Sequence, residues 1–251
     1  MSRSADPTPI WDRPEPGARR PNLSRERIAE AALEIADKEG FDALSMRRVA
    51  TELGSGTMTL YNYVRTKDEL IALMDDALIA ESLVPDDELP SHWRDALVMI
   101  AGRTRAALVR HPWAVGSLGS VQFGPNAMRH FEQSLAAVAG TGLGPAAALD
   151  LLSLVDDYVN GNVLRAAESR KRLATLTEDP DQVRSLVEFG MARLRTGEFP
   201  HTSALLGDRD PLATDDAAAP PLAEASLAEQ FERGLLAILD GAAARLGIPS
   251  T

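Results

Sequence analysis

The chain has 251 residues, a formal net charge of −11 and an apolar content of 45%. This composition supports a sizeable core and excludes wholesale disorder, and the acidic balance argues against a protein that coats nucleic acid. Cysteine is absent, which excludes disulfides, thiol sensing and cysteine metal sites. No apolar run approaches the roughly 18 residues of a membrane span, and the N-terminus lacks the apolar core of a signal peptide. We therefore expect a soluble, cytoplasmic protein.

The charge is distributed unevenly along the chain. Nine basic and seven acidic residues lie between Arg19 and Lys67, so the remainder carries a net −13. A mildly basic N-terminal head on an acidic body favours contact with a polyanion at the head alone.

The first predicted helix follows a proline-rich start. Residues 1–22 contain five prolines and little periodicity, which predicts a flexible arm. Within it, Arg19 and Arg20 are interpreted either as a minor-groove arm or as part of a solvated tail. Helical periodicity begins at Ser24, a candidate N-cap, and ends at Gly40.

Two short helices come next. Ser45 is the N-cap of a helix over Met46 to Leu53, which the letters LGSG end. A second short helix is predicted over Thr57 to Val64, and Thr66 caps a fourth. Two short helices joined by such a turn are typical of a helix-turn-helix.

The second short helix has an unusual exposed face. Leu60 and Val64 are one turn apart and can be buried together. The other side chains of this helix carry hydroxyl, phenol, amide or thioether groups, and none of them is acidic. In a helix-turn-helix this helix lies in the DNA major groove, where hydroxyls, amides and methyl groups match base edges. The same geometry also occurs in enzymes and interaction modules, and both remain alternatives. The predicted DNA contacts are Ser45, Arg47, Thr57, Met58, Thr59, Tyr61, Asn62, Tyr63 and Lys67.

After the fourth helix, Val84 to Ser91 breaks the chain and marks a domain edge, and only helical patterning follows it. The pattern predicts an all-α fold without strands. The predicted helices of this second half are Trp93 to Arg110, Pro125 to Ala139, Gly144 to about Arg172, Asp181 to Thr196, and Leu222 to Leu246, with an acidic loop over Gly207 to Pro221.

The head resembles the DNA-binding domain of the tetracycline-repressor (TetR) family of transcriptional regulators. The resemblance covers Leu23 to about Leu78 and is carried by the segments AALEIA, EGFDALSMRRVATELG and TLYNYVRTKDEL. It implies that the nine residues above, Ser45 apart, stand where family members touch DNA, and that Leu60 and Val64 are buried. Ser55 replaces a residue that is usually apolar in the family.

The second half is similar to the family's tetracycline-repressor-like C-terminal domain. The segments HWRDALVMIAGRTRAALVRHPW and GPNAMRHFEQSLAAVAGTGLGPAAALDLLSLVDDYVNGNVL carry the likeness. It implies an all-helical body that forms a homodimer through a four-helix bundle and encloses a small-molecule pocket. The bundle helices would be those of residues 144–172 and 222–246.

The long predicted helix supports a pocket independently. It is apolar nearly all round, yet Asp156 and Asn160 lie four residues apart on one face. Such a pair binds a ligand, fixes a dimer register or faces water. No histidine has a metal-ligand spacing, so we expect no metal and no cofactor. The candidate pocket residues are Trp93, Met99, Arg103, Trp113, Phe123, Met128, Phe131, Leu152, Asp156, Asn160 and Phe189; Tyr158 is a further aromatic candidate.

These observations predict a flexible arm over residues 1–22, a helix-turn-helix domain over 23–80 and a ligand-binding, dimerising domain over 81–251. The predicted function is that of a homodimeric repressor, released from a palindromic DNA operator by an unknown small molecule. An all-helical enzyme and an interaction module that never binds DNA are the alternatives.

Overall fold

A computed structural model describes residues 8–16, 23–117, 124–206 and 224–249 of the chain. Over these ranges the regular structure is entirely helical, which confirms the predicted all-α fold. Short 3-10 helices lie at Ile10–Asp12, Phe41–Ala43 and Ala139–Thr141. The α-helices are α1 (Arg25–Glu39), α2 (Met46–Glu52), α3 (Thr57–Tyr63), α4 (Lys67–Ala80), α5 (Trp93–Arg110), α6 (Ala114–Ser117), α7 (Pro125–Val138), α8 (Pro145–Glu178), α9 (Pro180–Leu194), α10 (Pro200–Leu206) and α11 (Glu224–Leu246).

The predicted helix ends of the head are confirmed. The hydroxyl of Ser24 accepts a hydrogen bond from the backbone N–H of Arg27 at 3.2 Å, and Ser45 and Thr66 cap α2 and α4 in the same way. Gly40 follows α1 with a φ of 88°, a left-handed conformation that side chains rarely adopt. Capping side chains satisfy backbone N–H groups that the first turn of a helix leaves without partners.

Helix α4 connects the head to the body. Its closest packing is against α1, and it also contacts α7 and α5. The buried carboxylate of Asp76 accepts hydrogen bonds from the backbone N–H groups of Asn126, at 2.8 Å, and Ala127, at 3.0 Å. These bonds cap the start of α7, so α4 and α7 are joined by a buried polar contact as well as by apolar packing.

The chain divides into two compact units, Met1–Leu164 with Glu232–Thr251, and Arg165–Phe231. In the first unit, the Tyr158 hydroxyl lies so close to Gly234 that a Cβ there would be 2.1 Å away, which brings α8 and α11 into tight contact. In the second unit, α9 and α10 contact each other. The predicted domain boundaries remain a prediction.

Some expectations need correction. The N-terminal segment is not a flexible arm over residues 8–16, because Ile10 is 0% exposed in the core of the head. Residues 1–7 and 17–22, with Arg19 and Arg20, lie outside the described residues, as does the acidic loop of 207–221. Helices α6 and α10 were not predicted, and α6 has only four residues, too few to show a period.

The helices of the structure can be compared with the length and hydropathy that a membrane span requires. Over the described residues, no helix is both long and apolar enough to cross a bilayer.

Candidate nucleic-acid interface and cavity

The turn between α2 and α3 is built by backbone hydrogen bonds. The N–H of Gly54 donates to Thr51 O at 3.1 Å, and that of Ser55 donates to Ala50 O at 2.8 Å. Gly54 has a φ of 58°, which favours glycine at this position. The hydroxyl of Ser55 donates to Gly56 O at 3.3 Å, so a polar residue is accommodated in this turn.

Helix α3 places its apolar and polar residues as its pattern predicts. Leu60 is 0% exposed, as is Val64 directly after the helix. Met58 is 79% exposed, Tyr61 is 41% exposed and Asn62 is also exposed, while Thr57 and Thr59 are half-buried. The exposed side of α3 therefore carries a thioether, a phenol and an amide, without an acidic residue. We call Thr57, Met58, Thr59, Tyr61 and Asn62 the α3 ridge.

Tyr63 requires a correction. It was predicted to lie on the exposed side with Tyr61, but it is 5% exposed and belongs to the head's core. The reason is helical geometry: Tyr63 lies three residues after Leu60, so both side chains project from the same side of α3.

Three further predicted contacts lie at the starts of the two neighbouring helices, α2 and α4. Ser45 and Arg47 are exposed at the start of α2, and Lys67 is exposed at the start of α4. The Nζ of Lys67 lies 5.7 Å from the centroid of the Phe41 ring, close enough for a cation–π contact. Within the described residues, neither Arg47 nor Lys67 is in an ion pair, so each retains charge for an external anion.

Arg48 differs from its neighbour Arg47. Its guanidinium pairs with Glu39 at 2.6 Å and with Glu52 at 2.7 Å. The hydrogen bonds that Arg48 donates to these two carboxylates raise the pKa of Arg48, and the bond from Arg48 lowers the pKa of Glu39. The charge of Arg48 is thus matched within the head, which leaves Arg47 as the arginine of α2 that suits an external anion.

The first unit also contains a cavity of about 540 Å³. Its wall is mostly apolar, with a few hydrogen-bonding groups, a composition typical of sites for small organic molecules. The lining residues are Asp75, Leu78, Ile79, Ser82, Thr104, Ala107, Leu108, Ala114, Val115, His130, Asp156, Asn160, Gly161 and Leu164.

Two lining groups have shifted pKa values. Burial by the surrounding wall raises the pKa of Asp156 to about 6, and the neighbouring Asp157 adds to this shift. Burial lowers the pKa of His130, whose Nδ1 lies 3.5 Å from the Ser82 hydroxyl. Both pKa shifts are towards the neutral form; at pH 7 His130 is mostly neutral, whereas Asp156, with a pKa of about 6, is still mostly ionised and can accept hydrogen bonds from a ligand.

Of the predicted pocket residues that the structure describes, Asp156 and Asn160 line this cavity, and the others are not part of its lining. Arg103, in the middle of α5, instead donates to Leu83 O at 3.0 Å and pairs with Glu88, so its guanidinium binds the segment that connects α4 and α5. Trp113 stacks on Phe41, with ring centroids 5.5 Å apart. Phe123 lies outside the described residues.

The remaining candidates have varied surroundings. Leu152 is buried, and Trp93 and Met99 are half-buried. Met128 and Phe131 are exposed on α7, and Phe189 is exposed in the second unit. Any pocket role for these six remains a prediction.

Sequence reasoning missed the cluster where α5 ends. The Nδ1 of His111 lies 2.8 Å from Asp37 Oδ1, and its Nε2 lies 3.2 Å from Glu81 Oε1. Trp113 Nε1 donates to the same Asp37 oxygen at 2.7 Å. These partners are more than 29 residues apart in the chain, so no local spacing could reveal them. In the sequence, the dipeptide His111-Pro112 indicates only the end of a helix.

Comparison with known proteins identifies the family. The model for "Bacterial regulatory proteins, tetR family" matches residues 28–74, and that for "Tetracyclin repressor-like, C-terminal domain" matches residues 85–246. The chain belongs to the TetR family of bacterial transcriptional regulators. Within that family, it is 36% identical over 239 residues to the HTH-type transcriptional repressor DrrR1 of Streptomyces coeruleorubidus, covering 92% of this chain and 82% of that one.

Two other TetR-family comparisons extend the match. The class D tetracycline repressor protein of Escherichia coli is 31% identical over 165 residues, covering 63% of this chain and 72% of the repressor. The crystal structure of ActR from Streptomyces coelicolor in complex with actinorhodin superposes with a TM-score of 0.67 and 28% identity, covering 91% of this chain and 99% of ActR. The chain is thus a DNA-binding transcriptional regulator with the family's head and body.

Proposed function

We propose that this TetR-family regulator is a homodimeric repressor whose α3 reads a palindromic operator and which a small molecule in the 540 Å³ cavity releases from DNA. One observation carries the proposal. Helix α3 buries Leu60 in the head while it exposes Met58, Tyr61 and Asn62 without an acidic neighbour on the helix. That surface suits a groove lined by phosphates and base edges.

The roles of the individual groups follow from their chemistry. Thr57, Thr59 and Asn62 offer hydrogen-bonding groups to base edges, and the methyl of Met58 can meet a thymine methyl. The Tyr61 phenol and the Ser45 hydroxyl can donate to phosphate oxygens. The positive charges of Arg47 and Lys67 add contacts that depend on salt but not on sequence.

A second copy would complete the operator interface. On α8, Leu149 is 45% exposed and Leu154 is 44% exposed, and α8 lies against α11. Two exposed leucines on α8, a long helix that adjoins α11, support a four-helix bundle with a second copy. The two α3 ridges would then contact half-sites about 34 to 36 Å apart, one turn of DNA.

The cavity wall supports release by a ligand. Helix α4 and the turn after it contribute Leu78, Ile79 and Ser82 to the wall, and the first residue of α4 is Lys67. A ligand that displaces the end of α4 would therefore reorient the head. A coupling of about 1–3 kcal/mol would weaken operator binding roughly 5- to 150-fold. The lining suits an apolar organic molecule with hydroxyl or carbonyl groups, and the ActR complex supports actinorhodin as a first probe.

Operator binding is tested first. Selection of bound fragments from random oligonucleotides should return a palindrome, whose affinity is then measured between about 50 and 200 mM salt. Lys67→Ala should weaken all sequences alike and reduce the slope of log affinity against log salt by about 0.9 for each phosphate that Lys67 neutralises. Lys171→Ala, on α8 of the second unit, makes the same charge change and should leave the slope unchanged.

Other outcomes of these experiments favour the alternatives. Selection without any recurring palindrome would favour an interaction module, and steady turnover of a bound small molecule would favour an enzyme. An unchanged salt slope in Lys67→Ala would remove Lys67 from the interface.

Release is tested with actinorhodin as the probe and ActR as the positive control. Binding should raise the melting temperature and free the operator. Asn160→Ala should weaken both effects because Asn160 lines the cavity, whereas Ser153→Ala, on an exposed position of α8, should not. Equal impairment of both variants would place the ligand elsewhere.

A further inference from the structure

The N-terminal segment of residues 8–16, here called the strap, lies outside the residues that the family's DNA-binding model matches. The matched head begins at residue 28, so the strap and Arg25 precede it. Yet the strap is bonded directly to α1 and α4, and through Arg25 of α1 it is linked to α3.

Two side chains anchor the strap in the head. Ile10 is 0% exposed within the core cluster of α1 to α4. Arg13 is 8% exposed, and its Nη2 lies 2.7 Å from Glu69 Oε2 in the first turn of α4. The same Glu69 oxygen accepts a hydrogen bond from the backbone N–H of Arg65 at 2.7 Å. Arg13 therefore joins the strap to the connection between α3 and α4.

Arg25, the first residue of α1, joins the strap to the end of α3. Its Nη1 donates to the carbonyls of Ile10 at 2.6 Å and Arg13 at 2.7 Å. Its Nε donates to the carbonyl of Tyr63, the last residue of α3, at 3.3 Å. In addition, the carboxylate of Glu15 accepts from the backbone N–H of Arg25 at 3.0 Å. One guanidinium thus holds the strap and the recognition helix together.

The end of α3 has a physical need for this partner. Helix α3 has seven residues, a length at which a helix depends on tertiary contacts for its stability. The last carbonyls of any helix have no partner within it, and a cation there also interacts favourably with the helix dipole. Arg25 supplies both, and the two strap carbonyls accept hydrogen bonds from the same guanidinium.

We propose that the strap is a positioning element for DNA recognition, which fixes the C-terminal end of α3 through Arg25 and so sets the angle at which the α3 ridge meets bases. The inference rests on the proposed role of α3 in reading the operator. Arg25 is a positioning residue in this scheme and need not touch DNA. The strap should then matter for specific binding, which needs a fixed ridge, and not for nonspecific attraction to phosphates.

The first test compares the full chain with deletions of residues 1–7 and 1–16. Hydrogen exchange of the backbone amides from Tyr61 to Val64, measured without DNA, should accelerate at least roughly tenfold on deletion of residues 1–16 and stay unchanged on deletion of residues 1–7. The same longer deletion should lower affinity for the selected operator by roughly tenfold or more, since it removes charge-assisted hydrogen bonds. Binding to nonspecific DNA and its salt slope should not change.

A pair of charge-conserving variants tests the same contact without a deletion, in case the shortened chain does not fold. Arg25→Lys keeps the charge but has a single side-chain nitrogen, whereas Arg25 uses Nε for Tyr63 O and Nη1 for the two strap carbonyls. Arg27→Lys makes the same change at an exposed position two residues on. We expect faster exchange at the end of α3 and weaker operator binding in Arg25→Lys alone. A matching melting temperature in the two variants would place the effect at α3.

The outcomes separate the inference from the proposed function. Unchanged exchange at Tyr61 to Val64 in both the longer deletion and Arg25→Lys would overturn the positioning role, whatever happens with DNA. Faster exchange with no operator binding by the intact chain would support the strap's contact and refute the proposed function. A parallel fall in nonspecific affinity and salt slope would instead make the strap a direct phosphate contact and overturn the inference.

Discussion

Leu60→Ala tests whether α3 has been assigned its correct inner side. Leu60 is 0% exposed and packs in the core cluster of the head. Its truncation removes the isopropyl group and leaves a cavity, a change that costs about 2–5 kcal/mol in well-packed cores. We expect the free energy of unfolding to fall by about 3 kcal/mol, since the short α3 can relax partly into the space.

The matched control is Met58→Ala, two residues away on the exposed side of α3. Met58 is 79% exposed, so its truncation should change stability by no more than about 0.5 kcal/mol. It should, however, relax the preference for one base pair in the operator selection. Urea denaturation at one fixed protein concentration measures stability, because a dimer's midpoint depends on concentration. Equal destabilisation of the two variants would refute the assignment, since both side chains would then be buried.

Two other predictions concern the body. In Gly124→Ala, the new Cβ would lie 2.1 Å from Asp76 Oδ1, so we expect the free energy of unfolding, measured in urea, to fall by about 1–3 kcal/mol. Gly102→Ala is the control, because a Cβ there would meet nothing within 4 Å and the change should be neutral or stabilising. Equal effects of the two variants would contradict the tight α4–α7 contact. Burial raises the pKa of Asp156 from 3.8 to about 6, so the folded state holds this proton more tightly than the unfolded state. The stability it contributes is therefore complete below the unfolded pKa of 3.8 and declines as pH rises through about 6. Asp156→Asn should remove this part of the decline in urea midpoints between about pH 4 and 7, and Asp150→Asn, on the same helix but not in the cavity lining, should keep it. Identical pH profiles in all three proteins would show that Asp156 is not desolvated.

Local patterns in the sequence determined much of the head. Ser24, Ser45 and Thr66 cap their helices as predicted, because capping is decided by a side chain and the backbone three residues on. The period of apolar residues likewise placed Leu60 and Val64 in the core. The helix-turn-helix follows from these signals, and with it the exposed α3 ridge.

The tertiary structure decided what depends on residues far apart in the chain. Tyr63 is three residues after Leu60, a spacing that allows burial on the same side of α3, but only the packing of the head decided that it is buried while Tyr61 is exposed. The proline-rich start packs on the head because Ile10 is buried in the apolar core and Arg13 pairs with Glu69. Local periodicity in the sequence indicates neither contact.

The cavity shows the same division. The sequence marked Asp156 and Asn160 as a polar pair on one side of a helix, and both line the wall. It did not reveal Ser82, Thr104 or His130 as their companions. A helix's own period determines which of its residues share a side, but which sides of different helices meet depends on packing, and packing requires all the helices in place.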